Sequence, residues 1–392
     1  MKIKVGFIFG GNSVEHEISI ISAVQAMGYL DTSKYEAVPI YITHDYKMYT
    51  GGMLTDIDSY KDFSLIKKYG KKVILLNKNG RFILQGGRIF KREVDYIDIA
   101  FPIVHGSGCE DGSIAGYLET LGIPYVGSKV CASAVGQDKV FQKQIFSENG
   151  IPVTNYTWFF DNEYDNSKDD VLDKISKLSY PLIVKPATLG SSIGISYVKD
   201  KSMLDSAIDL AMEYDNKILV EEVVENLCEV NQAVMGSSLK NVTSMIEEVI
   251  KEDDILSYKD KYLGNSKMSG SKGMASTRRI IPARISDKMA LNIDKISRNV
   301  FRALNNSGVV RIDYLIDSKK NKMYVNEVNT IPGSLSYYLW EGKNISYEEL
   351  LDMLITDAIK EYKRKMKKKS SFVTNILSNY GLMVLRGLRS NV

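Results

Sequence analysis

The chain begins with an apolar run, Lys2 to Phe9, that breaks at Gly10-Gly11-Asn12-Ser13, after which Val14, Ile18, Ile21 and Val24 recur at helical spacing. That order is a strand, a turn and a helix. Asn12 or Ser13 is placed to cap the helix, and Glu15 falls in its first turn, where a carboxylate suits the helix dipole. Further strands are predicted at about Ala37 to Thr43 and Ile97 to Val104, with a hairpin of Val73 to Leu76 and Phe82 to Leu84 about Asn79-Gly80. Strands alternating with helices predict an α/β unit with a largely parallel sheet, whose ligands gather beyond the carboxyl ends of its strands. Gly10 to Glu15 and His105 to Gly112 both lie at such ends.

At 392 residues the chain exceeds one ordinary domain. A hydrophobic share of 44% and a charged share of 25% supply a real core and exclude a disordered or collagen-like chain. Nothing approaches a spanning helix and the N-terminus enters a strand at once, so a cytoplasmic protein is expected. The cysteines, Cys109, Cys131 and Cys228, lack CxxC spacing, and three histidines offer no zinc cluster. From Lys360 onward nine Lys and Arg face Glu361 alone, so the body ahead of this basic tail is weakly acidic and carries no general footprint for nucleic acid.

From about Asp138 come a helix, a strand at Thr157 to Phe160, another helix, and the apolar strand Leu182 to Val184 ending on Lys185. A lysine on a buried strand needs an anionic partner. The loop Gly190-Ser191-Ser192-Ile193-Gly194 lacks the GK[ST] ending of a P-loop; its amides and hydroxyls suit phosphates, and a plain hairpin turn is the alternative. Ile218 to Val223 and Val230 to Gly236 read as strands. Residues 257–277, rich in Lys, Ser and Gly without apolar period, read as a lid. Val309 to Leu315 and Met323 to Val328 form a hairpin on which Glu327 and Asn329 share a face that Asp313 can meet across the ladder. Those hard oxygen donors suit Mg²⁺ bridging phosphates; a solvated ion cluster with Arg311 is the other reading. In His105 to Gly112, Glu110 and Asp111 can cap the next helix, and Cys109 reads as a small buried thiol, no base being suitably spaced to make it a nucleophile.

Together these segments resemble the D-alanine–D-alanine ligase family of the ATP-grasp superfamily from about Lys4 to Ile355. The motifs, in order, are Phe9 to Glu17, His105 to Gly112, Asp138-Lys139, Lys185-Pro186 with Gly190 to Gly194, Glu221-Glu222, Tyr258 to Tyr262, Arg311 to Asp313, and Asn326 to Gly333. The resemblance implies a three-domain α/β ATP-grasp fold with a Rossmann-like N-terminal domain. Its units would be residues 1–137 for the first substrate, 138–236 and 237–362 as the two ATP-grasp subdomains, and 363–392 as a basic amphipathic tail.

By the same resemblance Lys139 and Lys185 contact phosphates with Ser192 in the covering loop, Glu221, Glu222 and Val224 form the adenine hinge, and Glu229 takes the ribose. Asp313, Glu327 and Asn329 match the ligands of two Mg²⁺ ions, which Mn²⁺ could replace. Glu15 receives the first amino acid's ammonium and is linked through Ser191 to Tyr262 on the lid, with His105 nearby. Arg311 and the Gly333 amide hold the oxyanion of the tetrahedral intermediate. Tyr338 and Leu339 fall at the second substrate, Tyr338 standing where the family carries a serine. Cys109 replaces a glycine and Ala115 a glutamine beside the first substrate, and Asn226-Leu227 replaces the glycine before Glu229 with one residue extra.

The implied activity joins two D-alanines, or D-alanine and another amino acid, through an acyl phosphate made from ATP, for peptidoglycan synthesis. The alternatives are a ligase for D-alanyl-D-serine or a specialised-metabolite dipeptide and, in another class, a non-catalytic nucleotide-binding regulator, which should have lost a metal ligand or a phosphate lysine. A homodimer is expected. Phe372, Val373, Ile376, Leu377, Tyr380, Val384, Leu385 and Leu388 recur at roughly helical spacing behind the basic run, so the tail is expected either to touch a membrane surface or to pack on the body or a second copy.

Overall fold

The computed structural model describes residues 2–87, 90–106, 108–190, 192–237, 240–251 and 277–369. Three sheets organise them. The first has seven strands in the order β6-β5-β4-β3-β2-β1-β7, namely β1 (Ile3–Gly10), β2 (Tyr35–Ile42), β3 (Met48–Thr50), β4 (Lys71–Lys78), β5 (Arg81–Gly86), β6 (Arg92–Ile97) and β7 (Ile99–Val104). Only β2, β1 and β7 run parallel; β3 to β6 form an antiparallel extension. The expectation of a largely parallel sheet is therefore corrected to a mixed one. The reason is connection length, since β4 returns at once through Asn79 (φ 53°) and Gly80 (φ 84°), a turn that can join only antiparallel strands.

The second sheet, ordered β10-β9-β11-β8, is antiparallel and holds β8 (Tyr156–Phe160), β9 (Leu182–Pro186), β10 (Ser196–Val198) and β11 (Lys217–Glu222). The third, ordered β14-β13-β12-β15-β16, holds β12 (Leu227–Gly236), β13 (Asn241–Lys251), β14 (Thr277–Ile280), β15 (Gly308–Asp317) and β16 (Lys322–Asn329). Because β12 pairs with β13 and β15, the third sheet begins at Leu227, ahead of the boundary expected at 236. Most of the expected lid lies outside the described residues.

The C-terminal helix Tyr347–Met366 packs back on the first sheet: Leu350, Leu351 and Leu354 share a core with Val5, Phe7 and Phe9. Each such side chain contributes roughly 1.5–3 kcal/mol on burial. Ser346 and Glu349 form a capping box at its start. Near its end the Tyr362 hydroxyl donates to the Gly122 carbonyl at 3.0 Å and Lys365 pairs with Glu119, so the first part of the basic run is engaged with the body. The apolar residues from Phe372 onward lie outside the described residues. Among those described, no helix is long and apolar enough to cross a membrane.

Candidate functional site

Backbone pairing in the third sheet aligns Glu247 on β13, Asn231 on β12, Asp313 on β15 and Glu327 on β16 as successive partners on one rung. Alternation along the strands then puts Glu229, Arg311 and Asn329 on the same face. A β-bulge follows Asp313, the kind of irregularity that re-aims side chains. The Arg311 guanidinium grips Asp313 with Nε to Oδ1 at 2.7 Å and Nη2 to Oδ2 at 2.8 Å, and the Asn329 amide donates to Asp313 Oδ2 at 3.2 Å. The ion-pairing alternative for Arg311 is thus realised alongside the convergence of Asp313, Glu327 and Asn329. Burial pushes Asp313 up despite Arg311, whereas Glu327, also buried, is pulled down by Lys139, Lys185 and Arg311. Among the described residues no three acids, histidines or cysteines converge tightly enough to hold an ion alone. Two carboxylates and an amide fit a hard cation whose shell phosphate oxygens complete.

The second sheet faces this row with cations. Lys185, on buried β9, pairs with Glu221 on β11, the anionic partner its position required. Glu221 also pairs with Lys143 at 2.8 Å, a wholly buried lysine that the sequence reading missed although it stands one helical turn after Lys139. Burial pushes Glu221 up, but the two lysines outweigh it and hold the carboxyl far below the ordinary range. Its charge is matched by the two lysines. Glu222 likewise accepts from Asn155 at 2.8 Å and the Ser179 amide at 2.9 Å. Lys139 donates to the Leu189 carbonyl at 2.6 Å and lies 3.4 Å from Glu327, tying the glycine-rich loop to the acidic row.

Two cavities meet here. The larger, about 340 Å³, is lined by Lys185, Ser192, Glu221, Glu222, Val224, Glu229, Asp313 and Tyr338 among others. The smaller, about 160 Å³, is lined by Glu15, His105, Glu110, Asn329 and Gly333 among others. Lys139, Gly190, Arg311 and Glu327 line both. Gly190 approaches Glu15 closely: a Cβ there would stand 3.2 Å from Glu15 Oε2, which would have to give by a few tenths of an ångström. Ser191 and Tyr262 lie outside the described residues. Burial pushes His105 down to about 4, so the imidazole is neutral near pH 7, with Nε2 3.3 Å from Ser22 Oγ.

Several expectations are redirected. Glu15 itself occupies the helix N-cap position, while Ser13 Oγ accepts from the Glu15 amide at 3.2 Å and donates to the His105 carbonyl at 2.6 Å. Asp111 accepts from the Ser113 amide at the next helix start, but Glu110 reaches away from it, accepting from the Thr330 hydroxyl at 2.9 Å and the Ile331 amide at 2.8 Å. Burial pushes Glu110 up to about 7. Cys109 is buried and its thiol pushed up to about 11, as a structural thiol should be. Leu339 is fully buried with Leu335 and Trp340 in the first core and is not among the residues lining either cavity, because the apolar side chains of this turn pack inward. Ser334, Leu335 and Ser336 all take left-handed φ of 47°, 54° and 50°, a costly path held by that burial and by the Ser334 amide donating to Ser22 Oγ at 2.9 Å. Glu247 and Arg279 also line the larger cavity and were missed; no strand had been predicted at β13 or β14.

Comparison with known proteins agrees with this geometry. Models of the D-Ala–D-Ala ligase N-terminus and C-terminus match residues 4–128 and 145–356. A D-alanine–D-alanine ligase of Thermosipho africanus is 42% identical over 95% of this chain and 98% of its own. The VanG D-Ala:D-Ser ligase of Enterococcus faecalis superposes with a TM-score of 0.76 at 29% identity, covering 91% of this chain and 100% of that one. A Bacillus anthracis D-alanine–D-alanine ligase complexed with ATP superposes at 0.65 with 25% identity, covering 93% and 99%. By its residues, its fold and these relatives, the chain belongs to the D-alanine–D-alanine ligase family.

Proposed function

We propose that the protein joins two D-alanines with ATP, through an acyl phosphate, to supply the dipeptide of peptidoglycan. The observation that carries this reading is the meeting of two cavities at Lys139, Gly190, Arg311 and Glu327. A nucleotide in the larger cavity would put its terminal phosphate at that junction, and an amino acid in the smaller one would bring its carboxylate there. Joining a carboxylate to an amine in water needs activation, and phosphoryl transfer makes phosphate the leaving group. Positioning and charge neutralisation do most of this, which suits lysines on one wall and acids on the other.

In the smaller cavity Glu15 holds the first ammonium, and neutral His105 packs beside it without adding charge. Arg311, held in line by Asp313, faces the carbonyl oxygen that gains charge when the second amine attacks, with the Gly333 amide opposite. Asp313, Glu327 and Asn329 would hold Mg²⁺, which when bound neutralises phosphate oxygens. None of the regulator's expected losses is present: both phosphate lysines and all three ligand positions are intact. The small-molecule reading needs no nucleic acid; a homodimer and any membrane contact of the tail are matters for sedimentation.

The test is phosphate release from ATP and Mg²⁺ with D-alanine, with product mass measured. One phosphate per D-alanyl-D-alanine is expected. Absence of D-alanine-dependent release would overturn the assignment.

A further inference from the structure

Resting on the ligase reading above, we propose that Arg279 and Glu247 form the receptor for the second D-alanine, Arg279 taking its carboxylate and Glu247 its ammonium, with the Tyr338 ring as their shared platform. Tyr338 stands where the resemblance places a hydroxyl for that carboxylate, but a phenol has one O–H to donate. That hydrogen goes to Glu247 Oε1 at 2.9 Å. Another donor must hold the substrate's anion.

Glu247 Oε1 also accepts from Asn231 Nδ2 at 2.9 Å and is satisfied. Among the described residues its partner oxygen, Oε2, is buried without a hydrogen bond, on a residue only 2% exposed. A buried carboxylate oxygen in that state is costly unless a ligand completes it. Among the described residues its ion-pair partner is Arg279, whose Nε stays 3.9 Å away, beyond hydrogen-bond reach. The Arg279 guanidinium lies 4.4 Å above the Tyr338 ring, an arrangement that orients it while leaving its N–H groups for a carboxylate. Both residues line the same cavity as Arg311 and Asp313, and Glu247 shares the Asp313 rung. A zwitterionic amino acid would exchange one long ion contact for direct charge-assisted hydrogen bonds at each end, beside the group that faces the reacting carbonyl.

D-Alaninamide separates the two halves of this receptor, because it keeps the ammonium and lacks the carboxylate. With saturating first-site D-alanine, Arg279→Ala should raise the second-site KM for D-alanine by about tenfold or more and move that for D-alaninamide by less than about twofold, with Arg279→Lys in between. Glu247→Gln should raise the second-site KM for both acceptors and leave the first-site and ATP KM unchanged. An unaltered preference for D-alanine over its amide in Arg279→Ala would overturn the proposal, as would a rise confined to the ATP KM. Wild-type protein that makes no dipeptide at all would sink the ligase reading instead.

Discussion

The two walls of the larger cavity use the same kinds of charged residue in different states of completion. On the second sheet, Lys143 and Lys185 both pair with Glu221, and Thr154 accepts from Lys143 at 2.9 Å while donating to Glu221 at 2.8 Å. These buried charges close on one another. On the third sheet, Arg311 satisfies Asp313, but Glu247 keeps an unbonded oxygen and Lys139 reaches Glu327 only at 3.4 Å. The first wall is set before anything binds, with wholly buried Lys143 and cavity-lining Lys185 closing on one acid. The second, richer in acids, is finished by what binds. On the proposed reading, the fold is closed where the nucleotide would be anchored and charge-incomplete where the substrates would meet.

The contrast breaks most visibly at Glu327. Glu327→Gln should lower kcat by at least about 10²-fold while the unfolding midpoint moves little, because its charge serves the reaction more than the fold. Near-normal turnover would remove the acidic row from the mechanism.

Glu221→Gln should do the reverse, costing about 3–5 kcal/mol of stability by leaving two buried lysines short of a counter-charge. Glu247→Gln provides the control: with an oxygen already unbonded, losing its charge should change stability by less than about 1 kcal/mol. Urea unfolding of both variants settles the matter, and equal losses would erase the distinction between the walls. Glu221 also carries a pH signature. Its folded pKa lies below the ordinary value of 4.5, so its stabilisation is present above that pH and fades below it.

What the sequence disclosed follows the same division. Asp313, Glu327 and Asn329 were legible because two-residue spacing on a hairpin fixes one face, and Lys185 because a charge inside an apolar strand demands a partner. Glu221 as that partner was not legible, since β9 and β11 are joined through β10 and a helix, and only the folded sheet pairs Glu221 with Ile183 beside Lys185. Glu110 was read as a local cap because Asx-like turns are common at helix starts, while its real partners lie some two hundred residues on. Leu339 rests on family position alone, and the burial of its side chain beside the left-handed turn at Ser334 to Ser336 is visible only in the fold.

Glu110 joins the first sheet's loop to the turn beyond Asn329, and its titration tests that junction. Its folded pKa of about 7 stands above the ordinary 4.5, so the folded state holds the proton longer than the unfolded chain. The contribution of Glu110 to stability should then fall as pH rises from about 4.5 to 7 and level off beyond, by roughly 3 kcal/mol in all. Glu110→Gln should remove that slope. His105 slopes the other way: its folded pKa of about 4 lies below the ordinary 6.5, so its contribution is present above 6.5 and lost as pH falls toward 4. A Glu110→Gln protein with an unchanged stability profile between pH 5 and pH 7 would show that this carboxyl is charged throughout.

The smallest effect is expected at Thr154, inside the closed wall. Valine keeps the shape of threonine and removes only the hydroxyl, so Lys143 loses one acceptor and Glu221 one donor while their ion pair at 2.8 Å remains. The cost should be that of one buried hydrogen-bonding link, about 1–2 kcal/mol, with the urea m-value unchanged. The ATP KM should move by less than about twofold, because Lys185 keeps its own bond to Glu221 and stays in place without the hydroxyl. A Thr154→Val protein that lost as much stability as Glu221→Gln would mean that the hydroxyl, rather than the carboxylate, holds Lys143. The wall would then be a hydrogen-bond relay instead of a closed set of charges.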